Sequence, residues 1–419
     1  MGERKLDDDT VAMALIDRPV SRTSISRAVR QVLDSLDGTS DLEGSSKAMI
    51  KPNLCCGKDW TTGATTNPEV VREVALWLLE NGVEELILAD GTIVGQDTME
   101  NMSSTGLLDL ASELGMEVLD LNADERVEIS VKDPLELDRI KLARTAIEVD
   151  LLVNIPVMKT HICTSVTLSV KNMKGLLDDT WKKRFHFRGL DRCLADLATC
   201  VSPGLNIIDG SMGMEGRGPI NGEPRGAGII IASRDMLAAD VAASRIMDFD
   251  PVGIRHLQFW AERREIDLTS YSPHTIGQVE AIPFRKAPSV LDQRFQGVEL
   301  EWGEPCSGCA CALGAALSHM ERDGDLASLE EKGGAVIALG PEVDPEGSGN
   351  LVLMGKCQHR NRSRGHYIPG CPPQSPVIRG TLYEMMGRES DHRKKFLDIE
   401  CEGTSDSGTT GARNGRNKE

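Results

Sequence analysis

An α/β fold with a mostly parallel sheet flanked by helices is what the sequence predicts, and three observations predict it. Short apolar runs alternate with amphipathic stretches through the first two-thirds of the chain, the pattern of repeated strand and helix units. Several runs end in an acid or a proline, as LILAD (86–90), DLLVNIP (150–156) and LNIIDG (205–210) do. From about residue 290 the composition turns to Gly, Pro and Cys. The expected organisation is an α/β domain over 1–290, a small Cys/Gly/Pro-rich metal-binding region over 291–386, and a charged, disordered tail over 387–419.

In chain order, AMI (48–50) reads as a strand end running into KPNLCC. Asn67 can cap a helix with Pro68 at its first position, Val70, Val71, Val74, Leu76, Trp77 and Leu78 supply the apolar face, and Gly82 closes it. LILAD is the next strand, followed by a helix over about 105–114 and a short strand near 116–119. DLLVNIP is a buried strand stopped by Pro156, residues 190–201 are helical, LNIIDG is a strand, and GIIIA (228–232) leads into a helix over 235–247. The C-terminal region carries a helix over roughly 310–320 and strands at AVIAL (335–339) and LVLM (351–354).

Composition narrows the function. Lys+Arg total 47 against 65 Asp+Glu, for a net charge of −18, a field that disfavours nucleic acid and anionic membrane. Aromatics are only 4%, too few for a base-stacking platform. No run approaches the ~20 apolar residues of a membrane span, and MGERKLDDDT carries acids where an export signal would be apolar. The expectation is a cytoplasmic protein with no membrane insertion and no nucleic-acid partner.

The 11 cysteines then read as metal or cluster ligands rather than disulfides. Cys306 and Cys309 are spaced C-x-x-C, and Cys357 and Cys371 lie in Gly/Pro loops; four such thiolates suffice for a 4Fe-4S cluster or, alternatively, a tetrahedral zinc. Single cysteines in place of a second C-x-x-C favour iron and sulfide. Cys311 could substitute for Cys309 or be a small buried side chain. Cys55 and Cys56 follow KPNL, where either a redox-active or ligating thiol or plain burial is open.

A second constellation is basic: Lys159, Lys171, Lys174, Lys182, Lys183, Arg184, Arg188 and Arg192, with His161 and His186 interleaved. It could attract a phosphate or carboxylate, or be a solvated loop. A third is the glycine-rich stretch 209–228, which fits neither a P-loop nor a dinucleotide fingerprint. In open α/β sheets ligands lie beyond the carboxyl ends of strands, which nominates Asp90, Lys159, His161 and Asp209.

The spacing C-x-G-C, a later G-x-C and a terminal P-G-C-P-P resemble the cluster pattern in small subunits of nickel–iron hydrogenases and the related quinone-reductase subunit, a resemblance that marks Cys306, Cys309, Cys357 and Cys371 as ligands. KPNL (51–54), TNPEVVREV (66–74), NIPVMKTH (154–161), TLSVKNMKGLL (167–177), IIDG with GMEGRGP (207–219) and SRDMLAADVAASRIM resemble, in order over about 30–260, the family called domain of unknown function 362. Its members are often joined to ferredoxin-type pairs of clusters, and this chain lacks those repeated cysteine runs. A fainter likeness, at the acid-Gly-Thr strand end, is to the N-terminal domain of nickel-pincer lactate racemases.

The leading expectation is an iron–sulfur redox enzyme or electron-transfer protein acting on an anionic small molecule or a redox partner protein. Catalysis would fall to His161, Lys159, Asp90 and Asp209, with His161 exchanging a proton near its ordinary pKa of about 6.5. Lys51, Lys171, Asn172 and Lys174 would bind the substrate. The alternatives are a non-redox metal-dependent enzyme and a binding or assembly module with a structural metal.

Overall fold

The computed structural model describes residues 9–36, 45–288, 293–347 and 349–388; from 389 onward the expected tail lies outside the described residues. The chain divides into two units, Met1–Gln293 with Cys306–Cys311, and Arg294–Pro305 with Ala312–Glu419. The linear split expected at 290 does not contain that return of 306–311 to the first unit.

The first unit holds an 11-stranded sheet. It begins with β1 (Val11–Leu15), β2 (Lys47–Pro52), β3 (Glu85–Asp90) and β4 (Glu117–Asp120). A separate antiparallel ribbon joins β5 (Arg126–Ser130) to β6 (Arg139–Ala143). The sheet resumes with β7 (Leu151–Ile155), β8 (Val157–His161), β9 (Ser165–Thr167), β10 (Leu205–Glu215), β11 (Glu223–Arg225), β12 (Ile229–Ser233) and β13 (Thr275–Ile276). The order is β13-β1-β12-β10-β7-β2-β3-β4, with β8 and β11 pairing on β10 and β9 on β8. From β10 to β4 every pairing is parallel, whereas β12 runs antiparallel to both β1 and β10.

Successive strand residues face opposite sides, so Ala48 and Ile50 pack into one core and Met49 into another. Helices Arg22–Ser35, Pro68–Glu80 and Leu107–Leu114 complete the first core, and Leu190–Cys200, Met236–Ile246 and Arg255–Arg263 complete the second. A sheet buried on both faces explains why its central strands read as unbroken apolar runs.

Several elements depart from the expectation. Helix Arg22–Ser35, opened by a Ser21–Ser24 capping box, and β1 precede the first strand read from the sequence. The helix expected at 105–114 is Leu107–Leu114, and a further helix not read from the sequence, Thr98–Ser104, precedes it, parted from it by Gly106 at φ 77°. Pro156 does end β7 at Ile155, but the chain resumes at once in β8, which pairs on β10 as β7 does. That is possible because β10 is 11 residues long and extends into the glycine-rich stretch. At Gly213 an added Cβ would lie 2.5 Å from the Met158 carbonyl oxygen, so only glycine lets β8 approach there. The basic segment is structured as well, as a short helix Ser169–Asn172, a 3₁₀ turn Met173–Leu176 and a helix Asp179–Arg188.

The second unit is a four-stranded parallel sheet, β14 (Val298–Trp302), β15 (Ala335–Leu339), β16 (Leu351–Met354) and β17 (His366–Ile368), in that order. Helices Asp325–Glu331 and Ser375–Met385 accompany it. Among the described residues no helix is long and apolar enough to cross a membrane.

Candidate functional site

The site starts from adjacent parallel strands. β2 and β3 pair with Ile50 opposite Leu88, which brings Lys51 and Asp90, at their carboxyl ends, into an ion pair of 2.7 Å. Both are buried. Asp90 also accepts the backbone N–H groups of Leu54 (2.7 Å) and Gly91 (2.8 Å), so its oxygens are already engaged. The pair is sealed by the turn above it: a Cβ on Gly175 would meet Asp90 Oδ1 at 2.3 Å and Lys51 Nζ at 2.6 Å. Neither residue is free to touch a ligand, and the expected substrate-binding Lys51 and catalytic Asp90 instead hold the β2 and β3 loops together.

Lys159, on β8, is fully buried. Its Nζ donates to Asn53 Oδ1 (2.6 Å) and the Ala64 carbonyl (2.6 Å), and lies 3.3 Å from Cys55 Sγ. Because lysine only donates, Asn53 must turn its oxygen toward Lys159 and its Nδ2 toward Asn172 Oδ1, 2.6 Å away. Asn172 passes the pattern to Asn154 Oδ1 (2.8 Å), and Asn154 to Asn206 Oδ1 (2.9 Å). One donor thus fixes a line of buried amides across four segments of chain. Asn172 is a link in that line, not a group aimed at solvent.

Beyond this floor the groups are open. The His161 ring is 5% exposed, and its Nδ1 accepts the N–H groups of Cys163 (3.0 Å) and Thr164 (3.3 Å). An acceptor Nδ1 places the ring proton on Nε2. Burial first, and then the charges of Lys171, His186, Lys174 and Lys159, hold His161 well below the ordinary histidine range. His161 is therefore a neutral ring presenting Nε2–H, and the proton exchange near pH 6.5 expected from the sequence gives way to a hydrogen-bond donor. Nε2 has no partner among the described residues.

Lys171 stands on the short helix Ser169–Asn172, whose first N–H groups are held by Asp240 through bonds of 2.7 Å from Ser169 and 3.0 Å from Val170. It is half-buried. Its Nζ has no hydrogen-bond or ion-pair partner among the described residues, and burial, reinforced by Lys159, lowers it to about 7. Lys174 shares a 2.7 Å hydrogen bond with His186 Nε2, whose Nδ1 lies 3.2 Å from Ser307 Oγ. Burial and neighbouring cations push both Lys174 and His186 down.

The rest of the basic segment disperses. Lys182 bonds the Thr92 carbonyl at 2.6 Å, Arg188 pairs with Glu136 at 2.9 Å, Arg184 and Arg192 lie over aromatic rings, and Lys183 is exposed. Asp209 is buried and accepts from the N–H groups of Asn67 (2.8 Å) and Ser211 (2.9 Å), so it anchors a helix start to β10. Sequence reasoning missed Asn53, Asn154 and Asp240. The first two stand in KPN and NIP beside residues it chose, but nothing local shows that their amides join.

The thiols complete the description. Cys55 is half-buried and Cys56 buried, with their sulfurs 3.8 Å apart. In the 306–311 segment Cys309 and backbone N–H groups bring the Cys306 thiol down to about 6. Cys311 is bonded to Cys163, with Cα atoms 6.4 Å apart, a pairing that the reading of these thiols as ligands does not include. In the second unit Cys357 lies in the turn Lys356–Asn361 after β16, and Cys371 follows β17. Among the described residues no three His, Cys, Asp or Glu side chains converge in a metal-binding arrangement.

Comparison with known proteins matches residues 49–245 to the family described as a domain of unknown function (DUF362). A thylakoid-associated protein of Synechocystis is 29% identical over 240 residues, 55% of this chain and 72% of that protein. Among solved structures, a Thermotoga maritima protein aligns at 14% identity with a TM-score of 0.38, over 77% of this chain and 72% of its own. The lactate racemase apoprotein of Thermoanaerobacterium thermosaccharolyticum aligns at 10% identity with a TM-score of 0.36, over 57% of each chain.

Proposed function

We propose that this chain, whose residues 49–245 carry the DUF362 match, is an enzyme that binds a small carboxylate- or phosphate-bearing molecule between Lys171 and His161. The observation that carries this reading is the contrast in satisfaction. Lys51, Lys159 and Lys182 all have protein partners, while Lys171 Nζ and His161 Nε2, embedded in the same positive surroundings, have none among the described residues. A cation and a neutral donor that interact electrostatically and are both left without protein partners among the described residues are the complement of an anionic group. Charge-assisted hydrogen bonds of this kind are worth about 1.5–3 kcal/mol.

The test is thermal stabilisation by sulfate, lactate and inorganic phosphate, since a ligand that binds only the folded state raises the melting temperature. Lys171→Met should weaken the best of these by roughly ten- to a hundredfold. Equal stabilisation of the variant and the parent would refute the site. Lys159→Ala, the substitution the sequence alone suggests, is a poorer probe because it removes the donor that orders the buried amides.

A second reading, that the chain is an iron–sulfur redox protein, rests on the thiols. We propose Cys306, Cys309, Cys357 and Cys371 as ligands of one 4Fe-4S cluster, with zinc as the alternative. The lowered Cys306 thiol supports it, because a metal binds the thiolate. When bound, the cluster would supply a one-electron carrier. Gly355, Gly370, Pro372 and Pro373 would pack small backbone groups around its sulfides.

A further inference from the structure

The Cys55 thiol is a chemically reactive group that the anion-binding reading leaves unused. It sits in the loop after β2, walled by the Ala64 carbonyl (3.2 Å) and the Pro219 carbonyl (3.9 Å). Lys159 Nζ approaches it to 3.3 Å. Lys159 contacts no carboxylate among the described residues: its other two partners are the Asn53 and Ala64 oxygens, which carry no net charge. A fully buried ammonium without a counter-charge is costly, and among the described residues the acid that Lys159 Nζ contacts is Cys55. The Cys56 sulfur lies 3.8 Å from the Cys55 sulfur.

We propose that Cys55 is a resident thiolate paired with Lys159, and that it is the nucleophile for an activated acyl group on an anionic substrate, of which an acyl phosphate is the simplest kind. The proposal rests on the anion-binding reading for its substrate but not for its thiolate. Two features point to acyl chemistry. A thiolate attacks carbonyl carbon readily, and Lys171, which interacts electrostatically with Cys55, would hold the anionic group of the substrate beside the thiolate.

The step balances without an oxidant. The sulfur lone pair forms the S–C bond while the carbonyl π pair moves onto oxygen. Collapse of that adduct breaks the C–O bond to phosphate, which departs with the bonding pair and takes one proton from solvent to become hydrogen phosphate. The product is a thioester on Cys55. Water then forms the new O–C bond, the thiolate leaves with the S–C pair, and both of the water's protons go to solvent, leaving a carboxylate.

The groups acting on Cys55 act in opposed directions. The Cys56 hydrogen bond and the charge of Lys159 lower it, while burial and Asp90 raise it. Lys171 interacts electrostatically with it as well. The Ala64 carbonyl is the acceptor that a protonated Cys55 would use, and the pH dependence of alkylation distinguishes that thiol from the thiolate.

The experiment uses the full chain. Alkylation by iodoacetamide, with the modified cysteine located by peptide mass mapping, is followed against pH. Cys55 should react with a midpoint well below the ordinary thiol value of about 8.5, and faster at pH 6.5 than glutathione by roughly fivefold or more, after allowing for the lower nucleophilicity of a low-pKa thiolate. Cys56→Ser should move the midpoint upward. Acetyl phosphate should then leave a hydroxylamine-labile acetyl group on Cys55.

A midpoint at or above 8.5, or acetylation of other cysteines with Cys55 spared, would overturn the proposal. Iodoacetamide is neutral, so the first readout is independent of anion binding. If Lys171→Met leaves sulfate binding unchanged while Cys55 keeps its low midpoint and its acetylation, the anion-binding reading fails and the nucleophile stands.

Discussion

Lys171 differs from the other lysines of the site in a way that sets a pH dependence. Free Lys171 is held at about 7, so below that pH it carries the charge an anion needs and above it progressively does not. Sulfate keeps a constant charge over this range, and its affinity should therefore fall between pH 6 and pH 8.5, by up to tenfold per pH unit above 7. His161 adds no step of its own there, because its Nδ1 is occupied by two backbone N–H groups and the ring is neutral throughout. Thermal shift at fixed sulfate across that window measures it. A flat profile would mean that Lys171 does not contact the anion.

At the scale of elements, the turn 173–176 does more than carry Lys174. It lays the backbone of Gly175 directly on the Lys51–Asp90 pair. Those side-chain ends are buried and bonded to each other, so they cannot swing aside as exposed tips would. Gly175→Ala should destabilise the fold by about 1–3 kcal/mol, the usual cost of overpacking. Chemical denaturation, with the slope unchanged and the midpoint lowered, is the measurement; a neutral effect would show that the turn can lift away. The same element explains why the basic segment looked uniform in sequence yet is not. Helical spacing in Asp179–Arg188 buries Lys182 and leaves Lys183 and Arg184 outside, a sorting by face that charge counting alone does not predict.

At the scale of the whole chain, the cluster proposal is decided by analysis rather than by fold. Anaerobically purified protein should contain about four iron and four sulfide per chain, and both Cys306→Ser and Cys357→Ser should lose most of them. Stoichiometric zinc without sulfide would keep the ligands and change the metal. Retention of iron in Cys357→Ser would remove that residue from the set. The anion-binding test should be unaffected by either substitution, since Lys171 and His161 are held by β8, β9 and the helix Ser169–Asn172.

What the sequence by itself determined is the α/β plan and the neighbourhood of the site. Apolar runs of strand length, the Asn67–Pro68 helix start and the strand ends at Lys51 and Asp90 are local signals, written in consecutive residues, and the fold uses each of them, whereas Asp209, read as a strand end, lies inside β10, which runs on to Glu215. Only the tertiary structure decided what those residues do. Lys51 and Asp90 are 39 positions apart in sequence and neutralise each other because parallel pairing of β2 and β3 puts their ends side by side. Asp209 binds backbone N–H groups because β10 runs past Asn67 and Ser211. Lys159 is committed because Asn53, Ala64 and Cys55 come to it from another loop. A sequence shows which side chains carry charge, but which of those charges are already answered depends on long-range pairing. That is why Lys171 and His161 stand out as the open groups only once the fold has satisfied the rest.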